Sequence, residues 1–230
     1  MNHSMDELMS SAQIQSINSR YSKRLFVHGK SPLSLGWSDQ TQQWERFTRF
    51  LDVIMRYSKP YSVLDIGCGF GDFASFLEDR KAFPKFYTGL DINNDLLEVA
   101  RAANYSFPYE FYCDNLLESH HFLGSASPKH SFVVAAGLFN YNFHDSPEKM
   151  HEFAFAMIDR MLSLATERVI IDFIPVDRTD SYQPEPYIAL YSIPQILSYL
   201  TDKGLMFSLD LSQRPNPMQE ALLIIEASDP

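Results

Sequence analysis

Positive charge is what this sequence has least of. Nineteen Lys and Arg stand against 29 Asp and Glu, a formal net charge of −10, and the basic residues form no run. Clustered Lys and Arg that neutralise phosphates dominate nucleic-acid affinity, so no DNA or RNA partner is expected. Cysteine is nearly absent: Cys68 and Cys113 are too few for a disulfide framework, and a reducing, cytoplasmic setting is expected. Long apolar runs are missing too. No stretch approaches the ~18 consecutive apolar residues of a membrane helix, and "MNHSMDELMSSAQIQS" lacks the apolar centre of a signal peptide. Internal repeats and low-complexity segments are also absent. A 230-residue chain that is 45% hydrophobic therefore reads as one globular core.

Glycine is sparse, nine residues in all, yet three of them fall within five positions as Gly67-x-Gly69-x-Gly71 in "VLDIGCGFGDFASFL". An apolar run leads in and an amphipathic stretch leads out. Glycine tolerates positive φ and lets a ligand approach the main chain closely, so this turn is expected to hold one.

Around the turn, strand and helix signals alternate. Residues 40–57 place Trp44, Phe47, Phe50, Leu51 and Ile54 at helical spacing. After Lys59-Pro60, "SVLDIG", "KFYTGLDI", "YEFYCDNL", "HSFVVAAGLF" and "RVIIDFIP" read as strands. "DFASFLEDRKA", "NDLLEVARAAN" and "SPEKMHEFAFAMIDRMLSLA" read as helices between them, the last opened by Ser146 and Pro147. Near-continuous apolar strands alternating with helices predict a parallel sheet with right-handed crossovers. The end breaks this rhythm: "LMFSLDL", the loop "SQRPNP" and "ALLIIEA" predict an antiparallel pair at the sheet edge. Residues 1 to about 20 read as a loose arm or as a helix folded over something, and 22–38 as irregular. The expected division is a helical arm or lid over 1–56 and an α/β domain over 57–230.

Asp91 follows Gly71 by twenty residues, at the end of the next strand in "YTGLDIN". A carboxylate there can accept both hydroxyls of a ribose, so the turn and Asp91 together point to an adenosine-type ligand. A dinucleotide loop spaces its glycines G-x-G-x-x-G; here the third comes one residue early, and Asp65 precedes the turn. Its carboxylate opposes a pyrophosphate and suits the ammonium of an amino acid.

That arrangement resembles motif I of class I S-adenosylmethionine-dependent methyltransferases, and the likeness runs over about residues 57–226. It implies a Rossmann-like, mixed seven-stranded sheet with helices on both faces and an antiparallel C-terminal strand pair. It also implies S-adenosyl-L-methionine as the ligand. "GLDI", with Asp91 and Ile92, resembles the ribose-binding strand end. "FYCDNLL" resembles the segment whose acidic residue, here Asp114 beside Asn115, meets the adenine amine. "VVAAGLFNY", with Phe139, resembles the strand facing the sulfonium. More narrowly, "LGW", "DIGCGFGD" and "GLFN" resemble small bacterial methyltransferases.

Methyl transfer asks for a shaped pocket more than for reactive groups, because the sulfonium is already a good leaving group. Candidates after the fourth strand are Phe139, Asn140, Tyr141, Asn142, Phe143 and His144. Asp172 and Asp177 lie around the fifth strand, and Tyr182, Tyr187 and Tyr191 follow it. Aromatic faces beside a sulfonium contribute roughly 0.5–2 kcal/mol each by cation–π attraction; the alternative is that each ring packs the core. The Asn140 amide can orient an amine or a carboxylate. His144 and Asp145 are either a base or a loop pair capping the next helix. The catalytic set expected is Asn140, Tyr141, His144 and Tyr191. His120 and His121 have no partner spacing, and no metal is expected. Arg20, Tyr21, Lys23 and Arg24 form the densest basic cluster. The family likeness implies that such an arm closes the ligand pocket, with Tyr21 or an Arg meeting the methionine carboxylate.

No Asn/Asp-Pro-Pro-aromatic tetrad, the signature of nucleic-acid amino-methyltransferases, follows the fourth strand, which favours a small-molecule acceptor. An alternative on the same scaffold is a cyclase of the azetidine-2-carboxylate synthase kind. There the ligand's own amine attacks its γ-carbon and methylthioadenosine leaves. The oligomeric state is left open.

Overall fold

A computed structural model describes residues 8–57, 59–119, 121–122, 127–144, 146–178, 185–211 and 220–227. His120, Asp145, Tyr182 and all of the "SQRPNP" loop lie outside these residues. Seven strands form one sheet in the order β3-β2-β1-β4-β5-β7-β6. They are β1 (Ser62–Ile66), β2 (Phe86–Asp91), β3 (Tyr109–Cys113), β4 (His130–Ala135), β5 (Ala165–Phe173), β6 (Phe207–Asp210) and β7 (Ala221–Glu226). β1 to β5 pair in parallel, whereas β7 inserts antiparallel between β5 and the edge strand β6. The expected α/β, Rossmann-like mixed sheet with an antiparallel C-terminal pair is thus the observed one.

Six α-helices surround the sheet among the described residues: α1 (Ser11–His28), α2 (Gln40–Ile54), α3 (Asp72–Asp79), α4 (Asn94–Arg101), α5 (Pro147–Leu162) and α6 (Ile193–Asp202). Strand alternation sends Val63, Phe132, Val134 and Ile170 to one face, where Phe47, Phe50, Phe73 and Phe76 of α2 and α3 cover them. Leu64, Ile66, Val133, Ala135 and Ile171 point the other way, against Met150, Phe153 and Met157 of α5 and Ile196 and Leu200 of α6. Burial on both faces explains why these strands read as unbroken apolar runs.

Two elements depart from the sequence reading. α1 continues to His28, well into the stretch read as irregular. Ser10 caps it in a reciprocal box with Gln13, and Gly29 ends it at φ 62°. α6 was not legible as a helix; Ser192 caps its start and Pro194 sits in its first turn. No helix among the described residues is long and apolar enough to cross a membrane.

Candidate active site

The strand order reverses between β1 and β4, and a ligand crevice in an open α/β sheet forms outside the strand ends at such a point. The loop after β1 takes positive φ at Gly67 (72°), Gly69 and Gly71. The left-handed φ at Gly67 favours glycine, and a Cβ there would also meet Leu138 Cδ1 at 2.9 Å, so the Leu138 side chain would have to shift. The loop is braced by Asp91, whose Oδ2 accepts from the Gly69 N–H at 2.8 Å while its Oδ1 accepts from the Asn93 N–H at 2.8 Å. Burial raises the Asp91 carboxyl above its ordinary range, against those amide bonds.

A cavity of about 160 Å³ lies over these strand ends. Asp65, Gly67, Asp91, Ile92, Asp114 and Asn115 line it, together with Tyr21 and Tyr141. Asp65 is pushed up to about 7 by burial, against a bond donated by the Tyr87 hydroxyl and reinforced by Asp91 and Asp72. Asp114 accepts from the Asn115 N–H at 2.8 Å and from the Ser119 hydroxyl. The Asn115 side-chain Nδ2 is buried with no partner. An orphaned donor in a cavity wall is costly unless a ligand accepts from it, and a purine ring nitrogen is such an acceptor.

α1 contributes Ile17 and Tyr21 to the cavity wall. Asn18 Nδ2 donates to the Ile92 carbonyl at 3.1 Å, and Asn93 Nδ2 donates back to the Asn18 carbonyl at 3.1 Å and to Ser22 Oγ at 3.2 Å. Further along, Gln13 reaches Phe143 and His144. Burial pushes the Tyr21 phenol up to about 12, with Arg20 opposing that rise.

A second, smaller chamber of about 80 Å³ shares Tyr21, Leu35, Trp37, Gly137 and Tyr141 with the first. Arg20, Asn140 and Tyr187 line only this one. Asn140 Oδ1 is buried without a partner. Gly137, at φ 77°, donates its N–H to Asp172 Oδ1 at 2.7 Å. Arg46 Nη1 pairs with Asp172 Oδ2 at 3.0 Å, Arg46 also pairs with Glu220, and its guanidinium lies 4.3 Å from the Trp37 ring centre.

Gly69 and Gly71 shape the loop without lining either chamber. Phe139 is 1% exposed and packs on Phe153 and Tyr191. Tyr191 is fully buried, its hydroxyl unpartnered, beside Phe173 and His151 rather than on a chamber wall. His144 spends both ring nitrogens on the arm. Asn142 ties the chain at Tyr187 and Pro186, and exposed His121 stacks on Tyr112 at 4.5 Å. No group of three or more His, Cys, Asp or Glu among the described residues has the placement of a metal site. Gln13, Asn18, Asn93 and Arg46 escaped the sequence reading, whereas Trp37 entered it only within "LGW". Only Asn93 had a local signal there, as the residue opening α4.

The fold is the Rossmann-like methyltransferase fold, and residues 63–163 match the family model described as a methyltransferase domain. A provisionally assigned methyltransferase of Mycobacterium tuberculosis is 28% identical over 115 residues, which cover 50% of this chain and 63% of that protein. Magnesium protoporphyrin IX methyltransferase from Synechocystis PCC 6803, solved with S-adenosylmethionine bound, superposes with a TM-score of 0.64 at 18% identity, over 99% of this chain and all of the other. A plantazolicin methyltransferase solved with a pentazolic desmethylPZN analogue and S-adenosylhomocysteine gives 0.60 at 16% identity, over 94% and 98%.

Proposed function

We propose that this protein is an S-adenosylmethionine-dependent methyltransferase acting on a small molecule, with residues 1–56 as arm and lid over the site. The observation that carries the reading is the pair of chambers meeting at Tyr141 and Gly137. Asp91 takes the ribose hydroxyls, Asp114 and Asn115 the adenine edge, and Asp65 lies nearest in character to the methionine ammonium. The methyl donor supplies a sulfonium carbon, which an acceptor atom attacks in line from the second chamber as the sulfur–carbon bond breaks. The Asn140 carbonyl oxygen is placed to accept a hydrogen bond from that acceptor and orient it, and Tyr141 presents a ring between the chambers. Tyr191, Phe139 and His144 support this surface from behind.

The second chamber supports transfer over cyclisation, because a cyclase needs no room for an acceptor. The acidic chain and the absent amino-methyltransferase tetrad favour a small molecule over nucleic acid. The test is product analysis by mass spectrometry. The protein with S-adenosylmethionine alone should leave it unchanged, and a pool of small-molecule acceptors should yield S-adenosylhomocysteine. Methylthioadenosine formed without acceptor would establish the cyclase instead.

A further inference from the structure

Arg20 is held in an unusual way for a half-buried cation. Its guanidinium carbon lies 4.5 Å from the ring centre of Tyr187 and 5.1 Å from that of Tyr141. Both rings lie within cation–π range of the group and shield it in part from water. The edge, with its five N–H donors, makes no ion pair or hydrogen bond with a described residue, although 29 acidic residues are available in the chain. The other cations on this wall are committed. Arg24 donates to the Ser34 and Leu33 carbonyls, and Arg46 is consumed by Asp172 and Glu220.

A guanidinium held beside two rings, with no partner for its N–H groups among the described residues, is preorganised for an anionic ligand. A carboxylate meets that edge through two parallel N–H···O bonds. Asn140 lines the same chamber with a buried, unpartnered Oδ1, an acceptor that suits an O–H or N–H and would repel a carboxylate. Tyr187, Tyr141 and Trp37 between them make the walls aromatic. We infer that the acceptor is a small, planar carboxylate: Arg20 clamps its anionic end while Asn140 receives a hydroxyl or amine at the other. The inference rests on the methyltransferase reading, and it separates the two arm residues. Arg20 lines only the acceptor chamber, whereas Tyr21 lines both.

The test uses the full chain saturated with S-adenosylhomocysteine, whose binding is measured first by calorimetry. Salicylate, anthranilate and indole-3-acetate are then titrated beside their uncharged amides. At least one carboxylate should bind tenfold or more tighter than its amide, and Arg20→Met should abolish that preference while leaving S-adenosylhomocysteine affinity within twofold. Arg20→Lys should restore only part of it, because the charge returns without the fork. Amides binding as well as the acids, or no acid binding at all, would overturn the inference. So would loss of S-adenosylhomocysteine binding in Arg20→Met, which would move Arg20 to the methionine carboxylate. Failure of the unaltered protein to bind S-adenosylhomocysteine would count against the methyltransferase reading itself.

Discussion

Gln13 Nε2 donates to His144 Nδ1 at 3.1 Å, and the same amide nitrogen donates to the Phe143 carbonyl at 2.9 Å. The amide orientation is fixed by its oxygen, which accepts from the Ser10 N–H at 2.7 Å. His144 must then present a lone pair at Nδ1 and carry its hydrogen on Nε2, which points at the Leu8 carbonyl 2.8 Å away. The imidazole is a clasp between the loop after β4 and the arm.

Breaking that clasp should loosen the roof without disturbing the sheet. Each such hydrogen bond contributes about 0.5–1.5 kcal/mol net. Gln13→Ala or His144→Ala should therefore weaken S-adenosylmethionine binding roughly three- to tenfold. Hydrogen exchange of α1 amides should speed up while β1 and β4 amides stay protected; unchanged protection of α1 would refute the clasp.

Asp65 predicts a pH dependence of binding. Its free carboxyl, pushed up to about 7, holds a proton that must leave before the group can face an ammonium. Affinity for S-adenosylmethionine should rise with pH between about 5 and 7, by up to tenfold per unit, and Asp65→Asn should flatten the slope. Stability runs the other way. Between about pH 4 and 7 the folded chain keeps a proton that the unfolded chain has released, so Asp65's contribution declines as pH rises through that window. Calorimetry and thermal unfolding across the range read the two trends separately.

Asp91→Ala would remove the proposed ribose acceptor and also release the Gly69 and Asn93 amides. Bonds to a charged group are worth about 1.5–3 kcal/mol each, so the dissociation constant should rise by roughly tenfold or more. A change below threefold by calorimetry would remove Asp91 from the site.

Gly67→Ala should abolish binding for two separable reasons, the positive φ and the 2.9 Å approach to Leu138. Adding Leu138→Ala relieves only the second. Binding that recovers fully in the double variant would show that space alone was limiting.

Arg46→Met leaves the Asp172 and Glu220 carboxylates buried with one cation fewer, a loss expected to cost about 3–5 kcal/mol of stability. Thermal unfolding should show it at neutral pH, and Asp172→Asn with Glu220→Gln in the same chain should recover part of it.

Much of this arrangement was legible because its signals are local. Strands buried on both faces write themselves as apolar runs, and the turn after β1 needs glycines that few other contexts use. The aromatic surplus proved harder to divide. Phe139 lies in the same stretch as Asn140 and Tyr141, yet it is buried in the core while those two line the chamber, and Tyr191, after β5, is buried as well while Tyr187 nearby lines the chamber. Composition cannot make that distinction. Nor could it show that His144 is tied to Gln13, 131 positions earlier, or that Arg46 pairs with Glu220, 174 positions on. α1 hid its true length because its polar outer side averaged out the few residues, Ile17 foremost, that it buries.

Arg20 and Tyr21 are neighbours on one helix, and between them they wall both chambers. If the arm works as the proposed lid, its lifting opens both chambers at once, since Tyr21 lines the two of them and Arg20 the second. On that reading the methyl donor would bind under the arm first and the acceptor second, and the methylated product would leave before the spent donor. Such a catalyst would run a compulsory order with a single exit, and its slowest step would be the motion of eighteen helical residues rather than the bond exchange beneath them.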